Sequence, residues 1–344
     1  MRLLSIFLLA LSLTAAERKA IFPPGVKPVG PYSPGILAGD YLYVSGQGAR
    51  DASGQLPDGI AAQTEQCVKN IQTIVEAAGL TLEHVVYTQA YLSDMANYDA
   101  FNGVYMRHFG KAAPARSLTG VTRMPTDTPV EISAVAVRDL SQRKAMPAIA
   151  NLAVLTADRL FVSGILGKDA DTNKLPADPR KQVEMALSRV LATVKACRLK
   201  AGDVKAATVY VTPQIGPPIA QEMVQKQMKG ASVTVVPVNV LPLGANVEIT
   251  AIAATRPLDT VYLAGRTGAT AAILEELKAK LTAAGMSADN VVAANVYIDD
   301  INQFAAMNSV YAGFFSSNPP TRTTVQPTPV AAGKQNTISL IAVK

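Results

Sequence analysis

The chain has 344 residues, of which 49% are hydrophobic, 17% charged and 6% aromatic, with no tryptophan and a formal net charge of +6. This apolar content excludes wholesale disorder, and a mild positive surplus that is not gathered into Lys/Arg runs or interleaved with aromatics gives little support to nucleic-acid binding. Two cysteines, Cys67 and Cys197, are too few for a disulfide framework, and two histidines, His84 and His108, with no Cys/His cluster give no support to a structural zinc site.

The chain begins Met1-Arg2, continues with an apolar run from Leu3 to Leu13, and reaches Thr14-Ala15-Ala16 before the polar Glu17-Arg18-Lys19. One positive charge, a short apolar core and a small-residue cleavage site make residues 1–16 a secretory signal peptide, with an uncleaved N-terminal anchor as the alternative. The expected location is periplasmic or secreted. No later segment approaches the roughly 18 consecutive apolar residues of a spanning helix, so no membrane partner is expected after cleavage.

At roughly 150 residues per domain the length suggests about two domains, but internal repeats overrule that estimate. The first copy reads Tyr41-Leu-Tyr-Val-Ser-Gly46, a helical segment over 62–78, alternating Val85–Leu92, and Pro129–Val137. The second has Arg159-Leu-Phe-Val-Ser-Gly164, a helix over 181–197, Val204–Val211 and Asn246–Ala253. The third has Thr260-Val-Tyr-Leu-Ala-Gly265, a helix over 271–284, Val291–Ile298 and Thr337–Val343. Period-two alternation and helical spacing give each copy the order strand, strand, helix, strand, helix, strand, strand. Phe101, Val104, Tyr105, His108 and Phe109 share one face of the second helix, which makes His108 a helix residue rather than a catalytic one. Joints near Ser141–Pro147 and Thr255–Pro257 divide the chain into 17–143, 144–256 and a shortened 257–344.

Gly30-Pro31-Tyr32-Ser33, Val44-Ser45-Gly46-Gln47, Pro114-Ala115-Arg116-Ser117 and Val130-Glu131-Ile132 together resemble the reactive-intermediate deaminase (RidA/YjgF, endoribonuclease L-PSP-like) family. The match is fullest in the first copy and weakens through the second and third. The resemblance implies an α+β, chorismate-mutase-like domain that forms homotrimers with sites at the subunit interfaces. Three fused copies then imply a monomeric pseudotrimer with a central β-barrel and outer helices. It also implies that Arg116 and Arg322 hold a substrate carboxylate, while Glu131 and Glu248 direct the water that hydrolyses an imine. Tyr32, Ser45, Gly46, Ser163 and Gly164 would complete the pockets, with backbone N–H groups around Ser45-Gly46 as donors. The residue types suit this chemistry, because a guanidinium offers parallel donors to a carboxylate and a carboxylate accepts a proton from water. No metal or organic cofactor is required, since an imine carbon is already electrophilic. A purely structural reading of the repeated glycine is that it relieves crowding in the strand.

The copies differ at these positions. Val233 stands where Arg116 and Arg322 stand in the others, Thr337 replaces the glutamate, and Ala264 replaces the serine. If the last two strands of a copy form a hairpin turning near Thr126–Thr128, Arg116 and Glu131 lie roughly 20 Å apart, so each pocket must join two copies. Pairing each arginine with the next copy's glutamate gives Arg116 with Glu248, Arg322 with Glu131, and Val233 with Thr337. That direction is preferred because it gathers both losses into one abandoned site. The leading expectation is hydrolytic deamination of small enamine or imine acids to 2-oxo acids and ammonia. The alternatives are a non-catalytic module binding a small carboxylate or a protein, and, last, an endoribonuclease.

Overall fold

The computed structural model describes residues 18–146, 152–169, 171–317, 319–329 and 335–344, so the leader over 1–16 lies outside the described residues. The alternating Val/Ile/Tyr runs form strands whose one face meets helices and whose other face meets the neighbouring copies. In the first copy these are β1 (Lys19–Ile21), β2 (Gly35–Ala38), β3 (Tyr41–Gly48), α1 (Ile60–Ala77), β4 (Val85–Leu92), α2 (Tyr98–Phe109), β5 (Ala115–Gly120) and β6 (Val130–Val137). The second copy repeats them as β7 (Lys144–Ala145), β8 (Ala153–Leu155), β9 (Arg159–Leu166), α3 (Pro179–Ala196), β10 (Val204–Val211), α4 (Pro217–Gln227), β11 (Ser232–Pro237) and β12 (Val247–Ala254). The third has only β13 (Thr260–Gly268), α5 (Thr270–Ala283), β14 (Val291–Tyr297), α6 (Phe304–Phe314), β15 (Thr321–Val325) and β16 (Asn336–Val343). It therefore opens on one strand and the first two copies on three, where two were expected of each, and its sheet has four strands where the others have six.

The sheet orders β1-β2-β3-β6-β4-β5, β7-β8-β9-β12-β10-β11 and β13-β16-β14-β15 correct a second expectation. The last two strands of a copy are not a hairpin, because β4 lies between β5 and β6, parallel to one and antiparallel to the other. Arg116 sits beside Thr88 and Glu131 beside Tyr91, three residues further along β4. An odd step along a strand reverses the face, so Arg116 and Glu131 point to opposite sides of their own sheet. That each pocket joins two copies therefore rests on this reversal of face and not on the separation of roughly 20 Å expected from a hairpin.

Helices cover the outer faces. In the first copy Cys67, Ile71, Ile74 and Val75 of α1 and Phe101 and Tyr105 of α2 are buried against Val44, Ala90, Leu118 and Ile132 of the sheet, and the other copies build equivalent cores. Cys67 and Cys197 are both free thiols. Two further apolar clusters draw on all three copies and lie on the inner faces. The ring closes in one direction: β5 runs beside β9, β11 beside β13, and β15 beside β3. At one end the loops after these strands bond to one another, with Gly120 N–H to Val240 O, Asn239 N–H to Pro327 O and Thr122 N–H to Gln326 O at 2.8–3.0 Å. At the other end Arg159 is buried between copies, paired with Asp158 at 2.7 Å, donating to Tyr262 Oη at 2.9 Å and lying over the Tyr41 ring. Among the described residues no helix is long and apolar enough to cross a membrane.

Candidate functional site

Three clefts follow from this ring. Between the first and second copies, the Arg116 N–H donates to Ser163 Oγ at 3.1 Å. The next side chain, Ser117, faces inward and its hydroxyl donates to Glu248 Oε1, which also receives the Leu118 N–H at 3.3 Å. The Arg116 side chain turns outward onto α2, 4.5 Å from the Tyr105 ring centre and 5.6 Å from that of Phe101. Between the third and first copies, the Arg322 N–H donates to Ser45 Oγ at 2.9 Å. Its guanidinium lies 4.9 Å from Tyr311, 5.3 Å from Phe304 and 5.3 Å from Tyr32, which reaches over from the first copy. The sequence-derived residues are therefore brought together as Arg116–Ser163–Gly164–Glu248 and Arg322–Tyr32–Ser45–Gly46–Glu131.

Serine acts differently from the expectation. The Ser45 and Ser163 N–H groups donate to Pro34 O and Leu152 O, so neither is free to meet a ligand. Their hydroxyls instead receive the backbone of the arginine strand and lock its register across the interface. The adjacent glycine is required for the glutamate rather than for the strand alone. Ser45-Gly46 and Ser163-Gly164 fall where the ladder register shifts, and a Cβ at Gly46 or Gly164 would overlap Oε1 of Glu131 or Glu248.

Both carboxyls are buried, Glu131 at 6% and Glu248 at 3% exposure. Burial pushes Glu131 up to about 8, against the opposing pull of the Arg322 charge and the Thr324 N–H. Glu248 rises less, to about 7, because the Ser117 hydroxyl, the Leu118 N–H and Arg116 all favour its charged form. Each arginine keeps one buried nitrogen, Nη1, without a partner, and in each cleft a buried asparagine oxygen, Asn102 Oδ1 or Asn308 Oδ1, is likewise unpaired. Unsatisfied buried donors and acceptors are costly, and the same pair recurs in both clefts, which makes these the candidate binding groups.

Asn102, Asn308, Ser117 and the aromatic bed under each arginine were not singled out from sequence. A signal was present: Arg322 follows Asn308 and Tyr311 at the same spacing as Arg116 follows Asn102 and Tyr105. The third cleft, between the second and third copies, lacks all of it. Val233 replaces the arginine, α4 buries Ala220 and Val224 where α2 buries Phe101 and Tyr105, and Thr234 Oγ1 accepts the Gly265 N–H at 2.8 Å. A Cβ at Gly265 would meet Thr234 and Thr337, where at Gly46 and Gly164 it would meet the carboxylate. His108 lies elsewhere, bonded to Glu65 at 2.8 Å, and His84 bonds to Thr81 at the start of β4.

Three α+β units joined in a ring, with clefts that set an arginine of one unit against a buried glutamate of the next, define a class of interfacial-site proteins. A family profile described as endoribonuclease L-PSP matches residues 24–138, 143–255 and 259–344, and the chain belongs to that family, in three tandem RidA-type copies. A RutC family protein of Pyrococcus horikoshii is 42% identical over 115 residues, 33% of this chain and 91% of that protein. The 2-iminobutanoate/2-iminopropanoate deaminase of Escherichia coli is 37% identical over 114 residues, 32% of this chain and 89% of that protein. Among solved structures, that of the YjgF gene product from E. coli is 35% identical and covers 35% of this chain and 99% of its own, with a TM-score of 0.34.

Proposed function

We propose that the protein hydrolyses small imine or enamine acids to 2-oxo acids and ammonia, at two clefts of one chain. The observation that carries this reading is the repeated set of an unpaired arginine Nη1, an aromatic bed and a buried glutamate of raised pKa across two interfaces. The arginine binds the substrate carboxylate through paired donors. The glutamate, as its carboxylate, takes a proton from water as the water oxygen bonds to the imine carbon. The resulting carbinolamine gains a proton on nitrogen, its C–N bond breaks, and ammonia leaves as the carbonyl forms. Support also comes from the relatives named 2-iminobutanoate/2-iminopropanoate deaminase.

The two clefts are unequal in this reading. Arg322 is only 4% exposed and has Tyr32 over it, whereas Arg116 is half-buried. The position matching Tyr32 in the second copy is Ala150, which lies outside the described residues. The Arg322 cleft therefore suits the smallest side chains and the Arg116 cleft takes longer ones. We place the protein in the periplasm or outside the cell, removed from its leader near Glu17; the N-terminal mass of the exported protein tests this.

The activity is tested by generating imines of several amino acids in situ and following their disappearance with the pure chain. Glu131→Gln combined with Glu248→Gln abolishes turnover while carboxylate binding persists. Full turnover in that double variant contradicts the reading, and an inactive wild type that still binds carboxylates makes the protein a binding module.

A further inference from the structure

The inner faces of the three sheets enclose a cavity that neither clamp arginine nor either buried glutamate lines. Its shape comes from a broken threefold correspondence. Tyr87, Ala206 and Ala293 hold the same position in β4, β10 and β14, and all three line the cavity. The single ring, Tyr87, stacks on Phe161 with centres 6.2 Å apart and planes 26° from parallel. The two alanines project less into the cavity than the tyrosine does, which leaves a slot with an aromatic wall on one side.

Beside the slot lies Gln89, at 6% exposure. Its Oε1 accepts the hydroxyls of both Tyr87 and Tyr210 at 3.1 Å, and its Nε2 has no partner. One end of the amide is held by two tyrosine hydroxyls and the other is unpaired; as placed the unpaired end is a donor, and turned over it is an acceptor, because the hydroxyls donate or accept equally well. Arg159 is the one charged side chain among the described lining residues, and Asp158, Tyr262 and Thr260 already occupy its donors. An anion would find no free cation there, and a cation no carboxylate. Arg159 and Tyr43 also line a second cavity, with Asp158 and Asp259, so the Arg159 side chain is shared between the two.

We propose that this cavity is a second ligand site, taking a small uncharged planar molecule that places a ring in the slot beside Tyr87 and a carboxamide-like group, with both a donor and an acceptor, at the unpaired end of Gln89. Recognition there depends on stacking and one amide hydrogen bond, whereas the clefts select for negative charge. The site is independent of the reaction assigned to the clefts.

Calorimetric titration of the full chain with benzamide and with benzoate tests it. Benzamide binds saturably, once per chain, and at least tenfold more tightly to the wild type than to Gln89→Leu. Ala293→Phe fills the slot and abolishes benzamide binding; Ala206→Leu, a smaller change, weakens it at least tenfold, so a folding defect in one variant does not decide the outcome. Benzoate follows the opposite pattern, being lost in Arg116→Ala with Arg322→Ala and retained in Gln89→Leu. No saturable benzamide binding, binding that survives both filled-slot variants, or binding lost with the two arginines overturns the proposal.

Discussion

At the scale of single residues, the two glutamates are held by glycines and charged only at a cost. Because a side chain at Gly46 or Gly164 overlaps the carboxyl it faces, Gly46→Ala displaces Glu131 and Gly164→Ala displaces Glu248. Each change is expected to cost about 1–3 kcal/mol and to remove the turnover of its own cleft alone, which thermal unfolding and an imine assay measure together. Glu131 also ties stability to pH. Its carboxyl sits at about 8 in the folded chain against an ordinary 4.5, so the folded state keeps a proton that the unfolded state releases. Stability from this group is complete below about 4.5 and declines as pH rises toward about 8. Glu131→Gln removes that dependence, and its melting temperature relative to wild type rises across the same range; an unchanged difference refutes the burial argument. Activity moves the other way, since the carboxylate is the working form. The Arg322→Ala chain, left with Glu248, gains rate around pH 7, and the Arg116→Ala chain, left with Glu131, around pH 8. Coincident midpoints contradict the assignment.

At the scale of elements, the site is made by one strand register reused with different neighbours. The arginine points outward onto its own helix while the following residue, Ser117, Thr323 or Thr234, points inward toward the next copy. This alternation explains why one copy's arginine and glutamate never share a pocket. The strands, the main helices and the replacement of arginine and glutamate by Val233 and Thr337 were legible in the sequence because they are carried by local patterns and by comparison between copies. The strand order was not, because β4 inserts between β5 and β6 through contacts distant in sequence, and no hydrophobic pattern marks which strands become neighbours. The third cleft shows that an element decays as a unit: α4 offers Ala220 and Val224 in place of an aromatic bed. Val233→Arg alone therefore buries a guanidinium with nothing beneath it, and chemical denaturation is expected to find it less stable by roughly 1–3 kcal/mol with no gain in ligand binding.

At the scale of the whole molecule, covalent linkage allows three interfaces to differ where identical subunits would keep them the same. Two keep an arginine set against a buried glutamate, one has Val233 and Thr337 in those places, and the common centre holds a cavity lined by one tyrosine and two alanines at matching positions. The ring is also tied by a pair that only the fused chain builds asymmetrically. Arg159 of the second copy meets Asp158 of its own copy, Tyr41 of the first and Tyr262 of the third. Arg159→Ala leaves Asp158 and the Tyr262 hydroxyl short of a buried partner, an expected loss of about 3–5 kcal/mol visible as a lower melting temperature. The size of the repeats was readable from sequence, but this centre was not, since it depends on which faces of three sheets meet.

The central claim, two complete clefts and one lost, is tested most directly by calorimetric titration of the intact chain with a stable product such as 2-oxobutanoate. The account predicts two sites per chain in the wild type, one in Arg116→Ala, one in Arg322→Ala, and none in the double variant. Three equivalent sites, no site at all, or the loss of both sites to a single substitution contradicts it.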